Sequence, residues 1–335
     1  MSSELPRLVV GIDDGYAQTK LWGASPDGGE PIQFIMRSSV RPGRFGLVSL
    51  SGKGGIGAYS TMGEDFTVSE DVEAESTQFD GFHTSSMNRV LVNHALAAAG
   101  YGGCEVDLIT GLPLGDYFFD GERDDQKIAA KQANLLQSVS NAAGNAPLAR
   151  LRGVRVGCQA IAAFVDYLLD DEMMERDVPV GRVAVVDIGG RTTDVAVVLD
   201  GDRFDDARSG TENIGVLDVY NTLGRGIRTK FSTRDRYPLN VMDQAIRTRR
   251  IKLWGKDEDV SELVTSAIIE QETKIAREVD RRIGSASNVD KVLFVGGGAS
   301  LFNTIGERFR NGAIAENPEF ANSRGLYKYA MKFPE

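Results

Sequence analysis

The chain has 335 residues, which at roughly 150 residues per domain suggests two domains. Apolar residues supply 41% and charged residues 26%, a balance that builds a sizeable core and excludes a disordered chain, a collagen-like repeat or a coiled-coil rod. The 38 Lys and Arg against 48 Asp and Glu leave a net charge of −10, which argues against direct nucleic-acid binding, because neutralising phosphates carries most of that affinity.

The N-terminal MSSELPRLVV lacks the apolar stretch of a secretory signal. No run of about 18 apolar residues occurs, so a cytoplasmic chain with no membrane partner is expected. Cys104 and Cys158 sit beside apolar residues and read as small buried hydrophobes rather than a disulfide framework. With His83 and His94 as its only histidines, the chain has no multi-histidine metal site.

In chain order, Leu8 to Leu21 (LVVGIDDGYAQTKL) is an apolar run, an Asp-x-Gly, and a second alternating run from Thr19. That pattern predicts two strands joined by a tight, glycine-containing turn, with a third strand over Pro31 to Met36. Ser49 to Ala58 is a glycine-rich loop but not a Walker A loop, since glycine follows Lys53 and the upstream spacing is wrong. Met87 to Ala99 has helical spacing, and Val106 to Gly111 reads as a strand ending in glycine. Glu122 to Leu136 has helical character, although Leu135 to Val139 could open a hairpin with Leu148 to Val156. Leu151 to Val156 then predicts a strand and Gln159 to Leu169 a buried helix.

Arg182 to Val195 (RVAVVDIGGRTTDV) repeats the opening pattern. Asp13 matches Asp187, Gly15 matches Gly189 and Thr19 matches Thr193, each pair 174 residues apart. A third strand is again expected, over Arg203 to Arg208. The basic run Arg247 to Lys256 reads as a solvated face, with a subunit contact to acidic stretches such as Glu64 to Glu75, or DNA, as rival readings. Ser266 to Ile283 is a long helix and Val292 to Gly298 a strand ending in glycine. Phe320 to Phe333 predicts a short helix returning to the first half, its aromatic and Met residues in the core. Trp22 and Trp254 read as packing residues. Strands alternating with helices, duplicated at half the chain length, define an α/β protein.

The repeated turns have a chemical meaning. Glycine lets successive backbone N–H groups converge on one anion. Two such turns facing each other across a cleft would grip a polyphosphate from both sides. Asp13 and Asp187 would hold a divalent cation beside it, through water, as suits Mg2+. Lys20, on the strand after the first turn, is placed to meet the β- or γ-phosphate. Gly189, Gly190, Arg191, Thr192 and Thr193 form the second phosphate turn, with Arg191 able either to touch phosphate or to pair across the cleft. Gly296, Gly297 and Gly298 would let a backbone lie flat against a base or ribose.

These residues resemble the actin-like ATPase superfamily of actins, sugar kinases and heat-shock chaperones. IDDGYAQTK resembles its first phosphate motif, DIGGRTTD its second and FVGGGASLF its adenosine motif. Within the superfamily the likeness is to the ParM/StbA plasmid-segregating actins, on IDDG with Lys20, ITGLPLGDYF (Ile109 to Phe118) and DIGG with its threonines. The resemblance implies a duplicated, ribonuclease H-like two-domain fold: a first lobe over 1–165 completed by 312–335, a second over 166–311, and a nucleotide cleft between them. It implies ATP (or GTP) with Mg2+, bound by Asp13, Gly15, Tyr16, Lys20, the second turn and the glycine cluster. It also implies homopolymer filaments, with plasmid centromere DNA reached only through a small basic adaptor of ParR type. Gln159 falls where the superfamily orients the attacking water; an amide cannot take a proton, so Asp187 would have to accept it. The rival readings are a small-molecule kinase, for which no separate acceptor motif is found, a chaperone-like ATPase, which lacks a following peptide-binding domain, and an MreB-like cytoskeletal ATPase, which lacks a visible amphipathic anchor.

Overall fold

A computed structural model describes residues 7–45, 57–70, 74–142 and 147–334. Each Asp-x-Gly segment is an antiparallel hairpin: strands Arg7–Asp14 and Gln18–Gly23 in the first, Arg182–Ile188 and Thr193–Leu199 in the second. The registers match as well. Asp13 lies opposite Lys20 in the first hairpin, and Asp187 opposite Asp194 in the second.

Each hairpin heads a sheet of the same strand order. In the first, the order is Ile32–Arg37, Gln18–Gly23, Arg7–Asp14, Glu105–Leu112, Arg150–Cys158, with Gln18–Gly23 antiparallel to both of its neighbours and the last three strands parallel. In the second, the order is Arg203–Phe204, Thr193–Leu199, Arg182–Ile188, Lys291–Val295, Gly312–Ile314, with the last three parallel. The second sheet is covered on both faces, so the middles of its central strands are apolar on both sides and alternate between two cores. Ala184, Val186, Val195, Val197, Val292 and Phe294 enter one core, packed by the long Ser261–Ile283 helix. Val183, Val185, Ala196, Val198, Leu293 and Val295 enter the other, against Ala160, Ala163 and Phe164.

Those last residues belong to the Gln159–Leu168 helix, which with the C-terminal Ala321–Lys332 helix occupies the space between the two sheets. The two helices meet where Gly325 faces the Ala162 backbone with no room for a Cβ. A buried ion cluster pins them: Asp166 receives the Arg324 guanidinium at 2.6 and 2.7 Å and the Lys328 ammonium at 2.9 Å. This pairing brings the first turns of both helices to the floor of the cleft.

Several expectations change. Only Arg203–Phe204 forms a third strand in the second sheet; a 3-10 turn over Asp206–Arg208 follows, and Gly210–Glu212 returns to pair with Thr193–Val195. Asp125–Leu135 is helical, and the alternative hairpin does not form: Ser140–Asn141 pairs instead with Gly57–Thr61, in a separate four-stranded sheet. Trp254 is no packing residue. It sits at the tip of the Arg250–Leu253 and Lys256–Asp259 hairpin with φ 48°, and is 72% exposed, whereas Trp22 is buried as expected. The Ser49 to Ala58 loop lies outside the described residues apart from Gly57 and Ala58, as do 71–73 of the acidic stretch. Among the described residues no helix is long and apolar enough to cross a membrane.

Candidate functional site

The strand ends place Asp13 and Asp187 in the cleft, both buried. Each takes one amide donor from the first turn of a central helix: Gln159 Nε2 donates to Asp13 Oδ1 at 2.9 Å, and Asn322 Nδ2 to Asp187 Oδ2 at 2.8 Å. The duplication therefore extends from the hairpins to the helices that serve them. Both helix N-termini add positive potential where an anion would sit. Asp13 is further neutralised by Lys20 Nζ at 3.2 Å from Oδ2. Asp187 is not: its Oδ1 is buried without a hydrogen-bond partner. Burial and the neighbouring charge of Asp13 raise its pKa from 3.8 to about 6. Behind it, burial and the charge of Asp187 push Asp194 up to about 8, although the Thr211 hydroxyl donates to it.

The two turns touch. A Cβ on Gly190 would come within 2.6 Å of the Ala17 Cβ and 2.7 Å of its nitrogen, so the second turn is held to glycine by the first. Gly296 follows the Lys291–Val295 strand with φ 85°, a backbone that favours glycine, and it packs against the Asp187 carboxylate and Ile188 carbonyl. Gly15, Tyr16, Gly189, Gly190, Thr192 and Gly296 all line the inner cavity between the carboxylates.

The outer cavity, about 260 Å3, is bounded by Ala17, Gln18, Lys20, Gly189, Gly190 and Gly297, and on its far side by Val216, Tyr220, Leu239, Ile246 and Leu301. Arg37 of the first sheet crosses this opening to Asp243 at 2.7 Å; Arg247 also pairs with Asp243 at 2.8 Å, and the Tyr220 hydroxyl donates to it at 3.1 Å. Arg247, the first residue of the basic run, thus borders the cavity, while its side chain remains 71% exposed.

Two expected site residues are used differently, and Arg191 takes the second of its two expected roles. Thr193 is fully buried and its hydroxyl donates to the Ile214 carbonyl at 2.8 Å, so Thr192 alone of the two faces the cavity. Gly298 is turned into the protein, its N–H on the Ile188 carbonyl at 2.9 Å. Arg191 spans the cleft to Asp80 at 2.6 Å and lies over the Tyr16 ring, 5.2 Å from its centroid. Sequence reading missed Asn322, Pro113, His83, Gln18, Tyr220 and Asp243. Asn322 and Asp243 carry no local signal, because their partners lie 135 and 206 residues away.

A buried network stiffens the first turn from behind. Asp14 accepts from Thr110 at 2.7 Å, Asn88 at 2.7 Å and Lys131 at 2.8 Å. Burial alone would raise its pKa, but Lys131 and His83 hold it well below the ordinary value. Burial and the Lys131 charge in turn hold His83 below 6.5, so its ring is neutral.

A divalent cation fits this donor set only in company with an anionic ligand. Among the described residues no group of three or more acidic, His or Cys side chains could hold a metal by themselves. The orphaned Asp187 Oδ1 and the adjacent Asp13 are suited to holding its waters while phosphate oxygens complete the shell.

Two facing, duplicated hairpins with paired helices between their sheets define an actin-fold protein. Comparison with solved structures agrees. A crystal structure of the archaeal actin homologue Ta0583 superposes with a TM-score of 0.76 at 22% identity, over 97% of this chain and 100% of that one. The same homologue has been solved in complex with ADP (TM-score 0.75, 23% identity, 97% and 99% coverage). A 15-stranded ParM filament from Clostridium botulinum matches with a TM-score of 0.77 at 19% identity, over 98% and 99% of the two chains. None of the curated proteins matches in sequence. Residues 8–168 match the family of the N-terminal region of the plasmid segregation protein ParM, and residues 185–307 that of the C-terminal region of archaeal MreB-like actin homologues. The chain therefore has the actin-like fold, similar over residues 8–168 to the ParM N-terminal family and over residues 185–307 to the archaeal MreB-like C-terminal family.

Proposed function

We propose that this chain is a filament-forming ATPase of ParM type. It binds Mg-ATP between its two hairpins, hydrolyses it, and moves plasmid DNA in the cytoplasm through a small basic adaptor of ParR type. GTP is the alternative nucleotide. One observation carries the reading: two symmetry-related aspartates, each held by an amide from a central helix, face each other across glycine turns, and one of them keeps a buried oxygen without a partner.

The residues divide the work. Lys20 and the amides of the Gly15 and Gly189–Gly190 turns receive the phosphates. Val216, Tyr220, Leu239, Ile246 and Leu301 supply the wall for a nucleoside, beside Gly297. Asp13 and Asp187 hold the hydrated Mg2+, which when bound neutralises the charge of the phosphates. Asp13 fixes the nitrogen of the Gln159 amide, leaving its oxygen to accept a hydrogen bond from water. Gln159 cannot take a proton; Asp187, raised to about 6, can. Because the turns touch at Ala17 and Gly190, a change in what they grip is passed directly from one lobe to the other. A head-to-tail contact that does not close on itself then gives a filament whose stability follows nucleotide state. The net charge of −10 supports an indirect route to DNA.

The test is phosphate release from Mg-ATP with no acceptor added. Release that is lost in Asp187→Asn supports the ATPase; turnover that requires a small-molecule acceptor would replace it with the kinase reading.

A further inference from the structure

One buried polar group at this site has no task in the scheme above. His83 lies on the Phe82–Thr84 turn, entered through Gly81 at φ 83°. Its ring packs edge-on against Tyr16, with centroids 4.8 Å apart, and against Phe82 at 5.3 Å. Its Nδ1 lies 3.5 Å from the Lys131 ammonium and 3.9 Å from Asp14 Oδ2. An ammonium has only protons to give, so Nδ1 accepts and the ring proton resides on Nε2. Lys131 is itself fixed by Asp14 and by the Gly111 carbonyl at 2.5 Å, and its contact with Nδ1 is shorter than that of Asp14, which assigns the tautomer with the proton on Nε2.

Nε2 is thus a donor on the opposite side of the ring from Lys131, and it is buried without a hydrogen-bond partner. Leaving such a donor unpaired in the interior is unfavourable, so its retention calls for a ligand. The ring borders the inner cavity together with Pro113, Gln159, Asp187 and Thr192. That cavity measures about 30 Å3, the space of a single water.

We propose that His83 is a further positioning group for hydrolysis: Nε2–H donates to the oxygen of the attacking water while the Gln159 carbonyl oxygen accepts one of its protons. This rests on the Mg-ATP reading above. The water then keeps one lone pair aimed at the γ-phosphorus. Its oxygen–phosphorus bond forms as the bond to the departing nucleoside diphosphate breaks, and its proton passes to the Asp187 carboxylate. His83 gives a hydrogen bond and exchanges no proton.

The experiment compares wild type, His83→Leu and His83→Gln in single-turnover hydrolysis of Mg-ATP. Affinity is measured in parallel with a non-hydrolysable ATP analogue, and folding by thermal melting. The Leu variant should hydrolyse about 100-fold more slowly, the scale of a misplaced reactant, with analogue affinity within about threefold of wild type. The Gln variant, whose amide N–H reaches the same region, should recover most of the rate. An unchanged rate in the Leu variant overturns the proposal, as does a Leu defect that Gln fails to restore in a folded protein. A loss of affinity in step with rate overturns it as well and assigns His83 a structural role. If the Leu variant does not fold, the ratio of rate to affinity in the Gln variant decides: near-wild-type hydrolysis upholds the proposal and a selective collapse refutes it. A wild-type protein that releases no phosphate rejects the ATPase reading itself and this proposal with it, an outcome distinct from any failure confined to the variants.

Discussion

Asp187→Asn separates the cost of the site from its use. In the unfolded chain this carboxyl loses its proton near 3.8, and in the fold near 6. Between those values the native state binds more protons than the unfolded state, so stability falls as pH rises through the window and stays lower above it. Holding the group about two pH units above its ordinary value corresponds to about 3 kcal/mol of folding free energy at pH 7.5. Asparagine has no charge to bury, and its carbonyl oxygen can still accept from Asn322. The variant should therefore melt about 5 °C above wild type at pH 7.5 without nucleotide, the scale expected for about 3 kcal/mol in a chain of this size. The gap should close as pH falls toward 4, and phosphate release should be lost at every pH. Melting curves of both proteins between pH 4 and 8 read this directly. A variant equal to or less stable than wild type at pH 7.5 would refute the account of Asp187 as a buried charge held for function.

Two further variants test the frame around the site. Gly190→Val places carbon about 1 Å too close to Ala17 and should cost about 1–3 kcal/mol in urea denaturation, with the rate of hydrolysis falling as the turns are forced apart; an unchanged midpoint would contradict the contact. Asp166→Ala strips the counter-charge from buried Arg324 and Lys328. The loss should be about 3 kcal/mol, at the low end for a broken buried pair because Lys328 keeps the Leu169 carbonyl at 2.9 Å and Asp171 at 3.2 Å; a midpoint within experimental error of wild type would show that the central helices are held by packing alone.

What was legible in the sequence was local. An apolar run, an Asp-x-Gly and a second alternating run encode a hairpin within about 14 residues, and the duplication at 174 residues exposed the two-sheet architecture before any contact was known. Asp13, Lys20, Gly189 and Gly190 could be placed at the cleft because their positions follow from the turn they occupy or flank. Asn322, Asp243 and His83 could not, since each gains its role from a neighbour that only tertiary topology supplies. Thr193 misled for the opposite reason: the repeat marks its position, but strand alternation turns its side chain inward to the Ile214 carbonyl, away from the cleft. Trp254 failed on a turn, where residue type suggested packing and a left-handed hairpin tip carried the side chain into solvent.

The most direct test of the central claim is right-angle light scattering of the purified protein on addition of Mg-ATP, followed alongside phosphate release and high-speed pelleting. The account predicts a rapid rise with protein in the pellet, decaying as phosphate accumulates, and a rise without decay in Asp187→Asn if it still binds nucleotide. A flat trace with no pelleted protein, while ATP is turned over, would contradict the filament reading.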